Sequence, residues 1–137
     1  MIAKIIFGIF LILHGIVHLL YMGQSSRLFE LTPGLIWPDG AILLSKMFSI
    51  ETVRIIATVS LIISAAGFVA GGILFFFDQS WWKTIIIAIS IFSSILYLIS
   101  WDGNMQSIHD KGAVGILLNV LIIVGVSVWQ FEKHKTI

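Results

Sequence analysis

The sequence contains no cysteine, only two prolines and few charged residues, which make up 11% of its 137 positions. The absence of cysteine excludes disulfides, thiol nucleophiles and thiolate metal sites. The scarcity of charge, with a formal net charge of +1, gives no indication of a nucleic-acid partner. The rest is strongly apolar, with 58% hydrophobic residues and a mean hydropathy of +1.06. Such a composition is typical of a chain whose solvent is lipid.

Four apolar stretches are each long enough to cross a bilayer, and together they occupy most of the chain. A hydrocarbon core about 30 Å thick requires about 20 helical residues. We therefore predict an all-α, four-helix transmembrane bundle that forms a single integral-membrane domain over residues 1–137. The predicted spans are Ile2–Met22, Thr52–Phe77, Trp82–Ser100 and Gly112–Phe131.

The first connection, Gln24–Ile50, is the one long loop of this prediction. It contains two turn signals, Thr32-Pro33-Gly34 and Trp37-Pro38-Asp39-Gly40. The apolar segment that follows them, Ala41–Phe48, is too short to span a bilayer. We therefore predict that the loop is interfacial and that Ala41–Phe48 lies over the mouth of the bundle as a lid.

The charged residues beside the spans predict the orientation of the bundle. The side with the termini carries Lys4, Lys83, Lys133 and Lys135, and the opposite side carries Arg27, Lys46, Arg54 and Lys111. Lys46 lies far along the long loop and Arg54 lies inside a span, so both count less toward orientation. The positive-inside rule then predicts that both termini are cytoplasmic.

Polar residues from all four spans concentrate in one half of the predicted membrane. At 1.5 Å per residue, His14 and Asn119 lie about 10–12 Å inside, and His18, Arg54 and Tyr97 lie about 4–7 Å inside. Ionisable groups at such depth are costly and usually face a partner or a cavity. The candidate ligand-binding residues are therefore His14, His18, Arg54, Tyr97, Asn119 and the nearby Asp102.

These side chains favour an amphiphilic or quinone-like ligand. Arginine offers a forked set of donors, His and Asn add further hydrogen-bonding groups, and the surrounding lipid admits an apolar tail. A buried Arg54 also needs an acidic partner, for which the sequence offers Glu51 or Asp102, or else a bound anion.

Two alternatives stay open. His14 and His18 are four residues apart and share a helix face, so they could chelate a metal, as in a metal-dependent membrane enzyme. The third ligand would be His109, Asp102 or Glu51. The positive charge of Arg54 disfavours a divalent cation there. The other alternative is a structural or accessory protein whose polar groups only fix helix packing.

The first span, Lys4…Gly8-Ile9-Phe10-Leu11…His14-Gly15, and the Gly67-Phe68-Val69-Ala70-Gly71-Gly72 step resemble DoxX-like small membrane proteins. That resemblance covers about half the chain and carries over no catalytic residue. It implies a four-helix protein of a bacterial or archaeal plasma membrane, and a subunit linked to quinone-dependent oxidation. The expected partners are membrane lipid, a hydrophobic small molecule, and another membrane protein or a second copy of the chain.

Overall fold

A computed structural model of the protein describes the backbone of residues 1–135 and the side chains of residues 1–129. The regular secondary structure of this described part consists of helices, with no strand, which confirms the predicted fold class. The four long helices are α1 (Ile2–Ser25), α2 (Ile50–Phe76), α3 (Trp82–Ile99) and α4 (Ala113–Lys135). Two short 3-10 helices, Leu44–Lys46 and Ile108–Lys111, lie in the connections.

Helices α1, α2 and α3 are each long and apolar enough to cross a membrane. Within α4, the stretch Ala113–Trp129 is apolar but shorter. Their outward faces are apolar, with side chains such as Ile5, Val59, Ile95 and Leu117 exposed. In water such a surface would be an aggregation hazard, whereas lipid solvates it at no cost. The chain is therefore a small membrane protein.

The helices pack in chain order, and α1 contacts α2 most extensively. Two glycines allow the close approach of α1 and α2. A Cβ on Gly15 would lie 2.9 Å from the Phe68 Cβ, and one on Gly72 would lie 2.7 Å from the Ile12 Cγ1. Because lipid is as apolar as the side chains, membrane helices associate through such close backbone packing.

Gly67 and Gly71 of α2 contact the next helix. Cβ atoms there would lie 2.6 Å from the Ile89 Cγ1 and 2.5 Å from the Ile86 Cδ1 of α3. The G-x-x-x-G step therefore forms the surface of α2 that contacts α3, as its spacing indicates.

Gly15→Ala is expected to lower the free energy of unfolding by about 1 kcal/mol, because the added methyl group must push α1 away from α2. Gly125→Ala is the matched control, since the nearest side-chain atom to its new methyl would be 4.0 Å away. Alanine is the better helix former, so this control should be neutral or stabilising. Thermal unfolding in detergent micelles measures both, and an equal effect of the two substitutions would contradict the packing argument.

The bundle has two ends with different chemistry. We call the end that carries residue 1 the terminal end, and the end that carries the first connection the loop end. The terminal end is aromatic: the Phe75 ring centroid lies 4.6 Å from that of Trp82 and 5.7 Å from that of Trp129. Buried polar side chains, such as His14, His18 and Asn119, lie between this aromatic layer and the loop end.

Gln24, at the end of α1, folds the first connection back over the loop end. Its Nε2 donates to the carbonyl oxygens of Leu35 at 2.9 Å and Trp37 at 3.1 Å. Its Oε1 accepts from the Leu31 N–H at 2.8 Å. Trp37 is consequently 1% exposed and lies 5.9 Å from the Tyr97 ring, centroid to centroid. Residues 35–37 thus cover the loop end of the bundle.

The predicted lid at residues 41–48 was wrong in its position. Ala41 and Leu44 pack against Val53 near the start of α2, and the Ile42 N–H donates to the Trp101 carbonyl oxygen at 3.0 Å. The Gln24 hydrogen bonds hold residues 35–37, of which Leu35 and Trp37 pack with Tyr97, whereas Ala41 and Leu44 belong to a separate cluster with Val53 and Ile99.

Candidate functional site

The polar residues predicted at mid-depth form one hydrogen-bonded network, which we call the interior network: His14, His18, Ser93, Ser94 and Asn119. His14 Nε2–H donates to the Asn119 Oδ1 at 2.8 Å, which joins α1 to α4. The Asn119 Nδ2 donates to the Ser94 Oγ at 3.1 Å, and the Ser94 hydroxyl donates to the Ser90 carbonyl oxygen at 2.8 Å. The side chains of α1, α3 and α4 are thereby linked inside the bundle.

His18 is the second branch of the interior network and is 1% exposed. Its Nδ1 lies 2.8 Å from the His14 carbonyl oxygen. A carbonyl can only accept, so Nδ1 carries the hydrogen. In the neutral ring Nε2 is then an acceptor, and the Ser93 hydroxyl donates to it across 2.7 Å.

Aromatic rings surround the two histidines. The Phe68 ring centroid lies 4.6 Å from that of His14 and 5.2 Å from that of His18. The Tyr97 ring lies 6.1 Å from that of His18 on the loop-end side. Because its polar groups satisfy one another and its flanks are covered by rings, the interior network is suited to holding the helices in position.

Arg54 lies outside this network and forms an ion pair with the first connection. Its Nε donates to the Asp39 Oδ1 at 2.8 Å, and its Nη2 donates to the Asp39 Oδ2 at 2.6 Å. Arg27 reaches the same carboxylate, with its Nη2 2.7 Å from Oδ2. The predicted partners of Arg54, Glu51 and Asp102, were therefore wrong. The folded-back first connection places Asp39 closer than either.

The two guanidinium groups control the charge of Asp39. Burial alone would raise its pKa, but the hydrogen bonds and charges of Arg54 and Arg27 outweigh burial and hold the pKa below its usual value. The carboxylate therefore stays ionised and ties the first connection to the ends of α1 and α2.

Asp102 belongs to a second ion pair, with Lys111. The Lys111 Nζ lies 2.7 Å from the Asp102 Oδ2, and the two side chains are 6% and 16% exposed. Burial alone would raise the pKa of Asp102, but hydrogen bonds from Lys111 and the Asn104 backbone lower it overall. Gly112 follows with a φ of +98°, where a Cβ would overlap the Tyr97 ring, so glycine is required at the start of α4.

Two cavities at the loop end have Lys111 in their lining. The first, which we call the polar cavity, has a volume of about 230 Å³. Its lining consists of Thr32, Pro33, Gly34, Leu35, Ile36, Asp102, Asn104, Gln106, Ser107 and Lys111. The second, the apolar cleft, has a volume of about 210 Å³ and lies between the end of α3 and the start of α4. Its lining consists of Tyr97, Leu98, Trp101, Met105, Ile108, Lys111, Ala113 and Ile116.

Lys111 is the site residue that the sequence reasoning missed. A signal for it was present, because this lysine directly precedes a predicted span and follows Asp102 at a distance that one short connection can close. In predicting the orientation of the bundle, Lys111 was considered only as one of the positive charges beside the spans. Its burial depends on the path of the connection, which hydropathy does not describe.

Of the three residues of the metal hypothesis, His14 and His18 lie together, with ring centroids 5.0 Å apart, but His109 does not complete a site with them. His109 has a side chain that is 68% exposed and lies 3.2 Å from the Asp110 carboxylate. His18 already has both ring nitrogens in hydrogen bonds. Among the described residues, no group of three or more His, Cys, Asp or Glu side chains is arranged to hold a metal ion.

The structure thus divides the six predicted ligand-binding residues among four places. His14, His18 and Asn119 form the interior network, Tyr97 lies between that network and the apolar cleft, and the remaining two enter separate ion pairs. The remaining two are Arg54, paired with Asp39, and Asp102, paired with Lys111. Comparison with protein-family models, with curated proteins and with solved structures finds no match to this chain.

Proposed function

We propose that this small membrane protein binds an amphiphilic, quinone-like molecule at the loop end, with its polar head beside Lys111 and its tail in the apolar cleft. The observation that carries the proposal is that Lys111 lines both the polar cavity and the apolar cleft. A molecule with one polar and one apolar end matches that juxtaposition.

The ion pair of Lys111 favours a neutral head. An ammonium group has three hydrogens to donate. Lys111 donates to the Asp102 carboxylate at 2.7 Å and to the Asn104 carbonyl oxygen at 3.3 Å, which leaves one hydrogen for a ligand oxygen. Because Asp102 neutralises the lysine charge, a carbonyl or hydroxyl oxygen suits the site better than an anion.

The apolar cleft supports entry from the membrane. Its walls include Leu98, which is 62% exposed, and Trp101, which is 40% exposed on the outer surface. Both side chains lie where lipid would contact the bundle, so a lipid-soluble molecule could enter sideways. A quinone held there suits a subunit of a membrane redox complex, the role implied by the resemblance to DoxX-like proteins.

The interior network has a supporting role in this proposal. It sets the relative positions of α1, α3 and α4 and thereby the position of Tyr97, which lines the cleft. A purely structural or accessory protein is the second candidate function, and the mutual pairing of the network's polar groups favours it. The two candidates differ in whether the cleft binds a molecule.

We propose further that the bundle crosses a prokaryotic plasma membrane four times with both termini in the cytoplasm. An even number of spans leaves the two ends on the same side. Lys4 and Lys83 flank the spans closely at the terminal end, where the positive-inside rule places the cytoplasm.

Ala113→Phe is expected to weaken the binding of decylubiquinone by at least about tenfold, because the added ring occupies the apolar cleft. The control is Val114→Phe, whose side chain is the next along α4 and is 49% exposed on the outer surface. Quenching of tryptophan fluorescence by the quinone in detergent micelles gives both affinities. Equal affinity of the two variants, or no saturable binding to the unmodified protein, would favour the structural role.

A further inference from the structure

The terminal end of the bundle contains a third cavity, far from the proposed quinone site. Its volume is about 260 Å³, and its lining consists of Met1, Ala3, Lys4, Phe75, Asp78, Trp82, Lys83 and Trp129. We propose that this terminal-end cavity binds the headgroup of an anionic phospholipid, with the phosphate between Lys4 and Lys83.

The two lysines come from different helices and lie at the same cavity. Lys4 Nζ lies 5.9 Å from the centroid of the Phe75 ring, and Lys83 Nζ lies 5.9 Å from that of the Trp82 ring. Such cation–π contacts direct the ammonium groups along the aromatic surface. Both charges are therefore held beside the cavity while their aliphatic stems cover apolar surface.

Among the described residues, the cavity lining has an excess of positive charge. Lys4 pairs with Asp78 at 2.6 Å. Lys83 makes no ion pair with a carboxylate among residues 1–129. The described lining side chains therefore contain two lysines against one aspartate, and an anion between the lysines would balance them. Basic pockets between membrane helices are suited to anionic lipid headgroups for this reason.

The aromatic floor distinguishes a phospholipid from a free phosphate ion. Phe75 and Trp82 are 3% and 6% exposed, and the Phe75 ring packs between those of Trp82 and Trp129. Tryptophan is favoured at the membrane interface, where its ring contacts the glycerol region and upper acyl chain. Inorganic phosphate has nothing apolar to place on this floor, whereas a phospholipid places its acyl chains along the exposed faces of α1 and α3.

Native mass spectrometry tests the proposal. The full chain is mixed in detergent with equimolar phosphatidylglycerol and phosphatidylcholine that have the same acyl chains, and the lipids retained after release from the detergent are counted. The protein is expected to retain about fivefold more of the anionic lipid, consistent with one strong basic contact. The Lys83→Met variant should retain the two lipids in equal amounts, without this preference. Lys83 is the residue to change because its loss leaves no described carboxylate without a partner.

Lys46→Met is the matched control, since it removes an equal charge from an exposed position at the loop end and should leave the preference intact. Equal retention of the two lipids by the unmodified protein would overturn the proposal, and so would an unchanged preference in Lys83→Met. Full displacement of the lipid by equimolar inorganic phosphate would assign the cavity to a free anion instead. Because this cavity shares no lining residue with the apolar cleft, quinone binding is expected to be unaffected by Lys83→Met.

Discussion

Asp39→Asn is expected to lower the free energy of unfolding by about 2 kcal/mol, because hydrogen bonds to charged groups contribute about 1.5–3 kcal/mol and part of this is lost to solvent screening. The substitution removes the one negative charge that lies between Arg54 and Arg27. The two guanidinium groups would then repel each other, and the first connection would lose its ion pair with α2.

The effect of Asp39→Asn depends on pH in a defined direction. The folded-state pKa of Asp39 is lowered below that of the unfolded chain, so its contribution to stability is present above the unfolded pKa of about 3.9. The contribution is lost as the pH falls through the lowered folded-state pKa. The difference between the unmodified protein and Asp39→Asn should therefore be constant near neutral pH and shrink below about pH 4.

Thermal unfolding of the unmodified protein and of Asp39→Asn is measured in micelles across this pH range. The difference between the two proteins separates the contribution of Asp39 from that of other carboxylates. Glu51→Gln serves as the control, because Glu51 acts on Arg54 through charge and makes no hydrogen bond to it. It should leave the free energy of unfolding nearly unchanged, as is usual for exposed pairs. A pH-independent difference, or a loss in Glu51→Gln as large as that in Asp39→Asn, would contradict the assignment.

The helices were predictable from the sequence because each apolar run must match the bilayer thickness, whatever surrounds it. The association of His14 with Asn119 also follows from sequence, since a shared depth and the cost of facing lipid leave few other positions. Neither prediction depends on the conformation of a loop.

The ion pairs could not be predicted, because they depend on how the connections fold. Asp39 reaches Arg54 from a segment that Gln24 holds through the carbonyl oxygens of Leu35 and Trp37, and that Arg27 holds through those of Leu35 and Ile36. Glu51 and Asp102 were the predicted partners of Arg54, and Asp39, which lies in a turn of the long connection, was not considered. Lys111 was missed for the same reason, because a short connection brings it to Asp102 and no periodicity describes that connection.

The second substitution with a large expected effect on stability is in the interior network. Asn119→Leu is expected to lower the free energy of unfolding by about 2–3 kcal/mol, because it leaves the buried His14 Nε2–H without an acceptor. Ser94 keeps its own bond to the Ser90 carbonyl oxygen, so the loss is centred on His14. His14→Leu should cost a similar amount, since it leaves the Asn119 Oδ1 without its donor.

The double variant His14→Leu/Asn119→Leu distinguishes a structural network from a ligand site. Replacing both partners with apolar groups of similar shape removes the unpaired atoms, so the double variant should be more stable than either single variant. The backbone carbonyl of residue 14 remains, and the His18 Nδ1 can still donate to it. Unfolding of the unmodified protein, the two single variants and the double variant in micelles gives the coupling free energy. Ser127→Ala, which loses only a hydrogen bond within α4, is the control for a lost hydroxyl.

The affinity of the double variant for decylubiquinone decides what the network does. If His14 and Asn119 do not contact the ligand, the double variant keeps most of its affinity, because the apolar cleft contains neither residue and the two leucines preserve the helix packing that positions Tyr97. Additive losses of stability would show that the two side chains act independently, against their 2.8 Å hydrogen bond. A double variant that folds but no longer binds the quinone would place the ligand at the histidines, deeper in the membrane than Lys111.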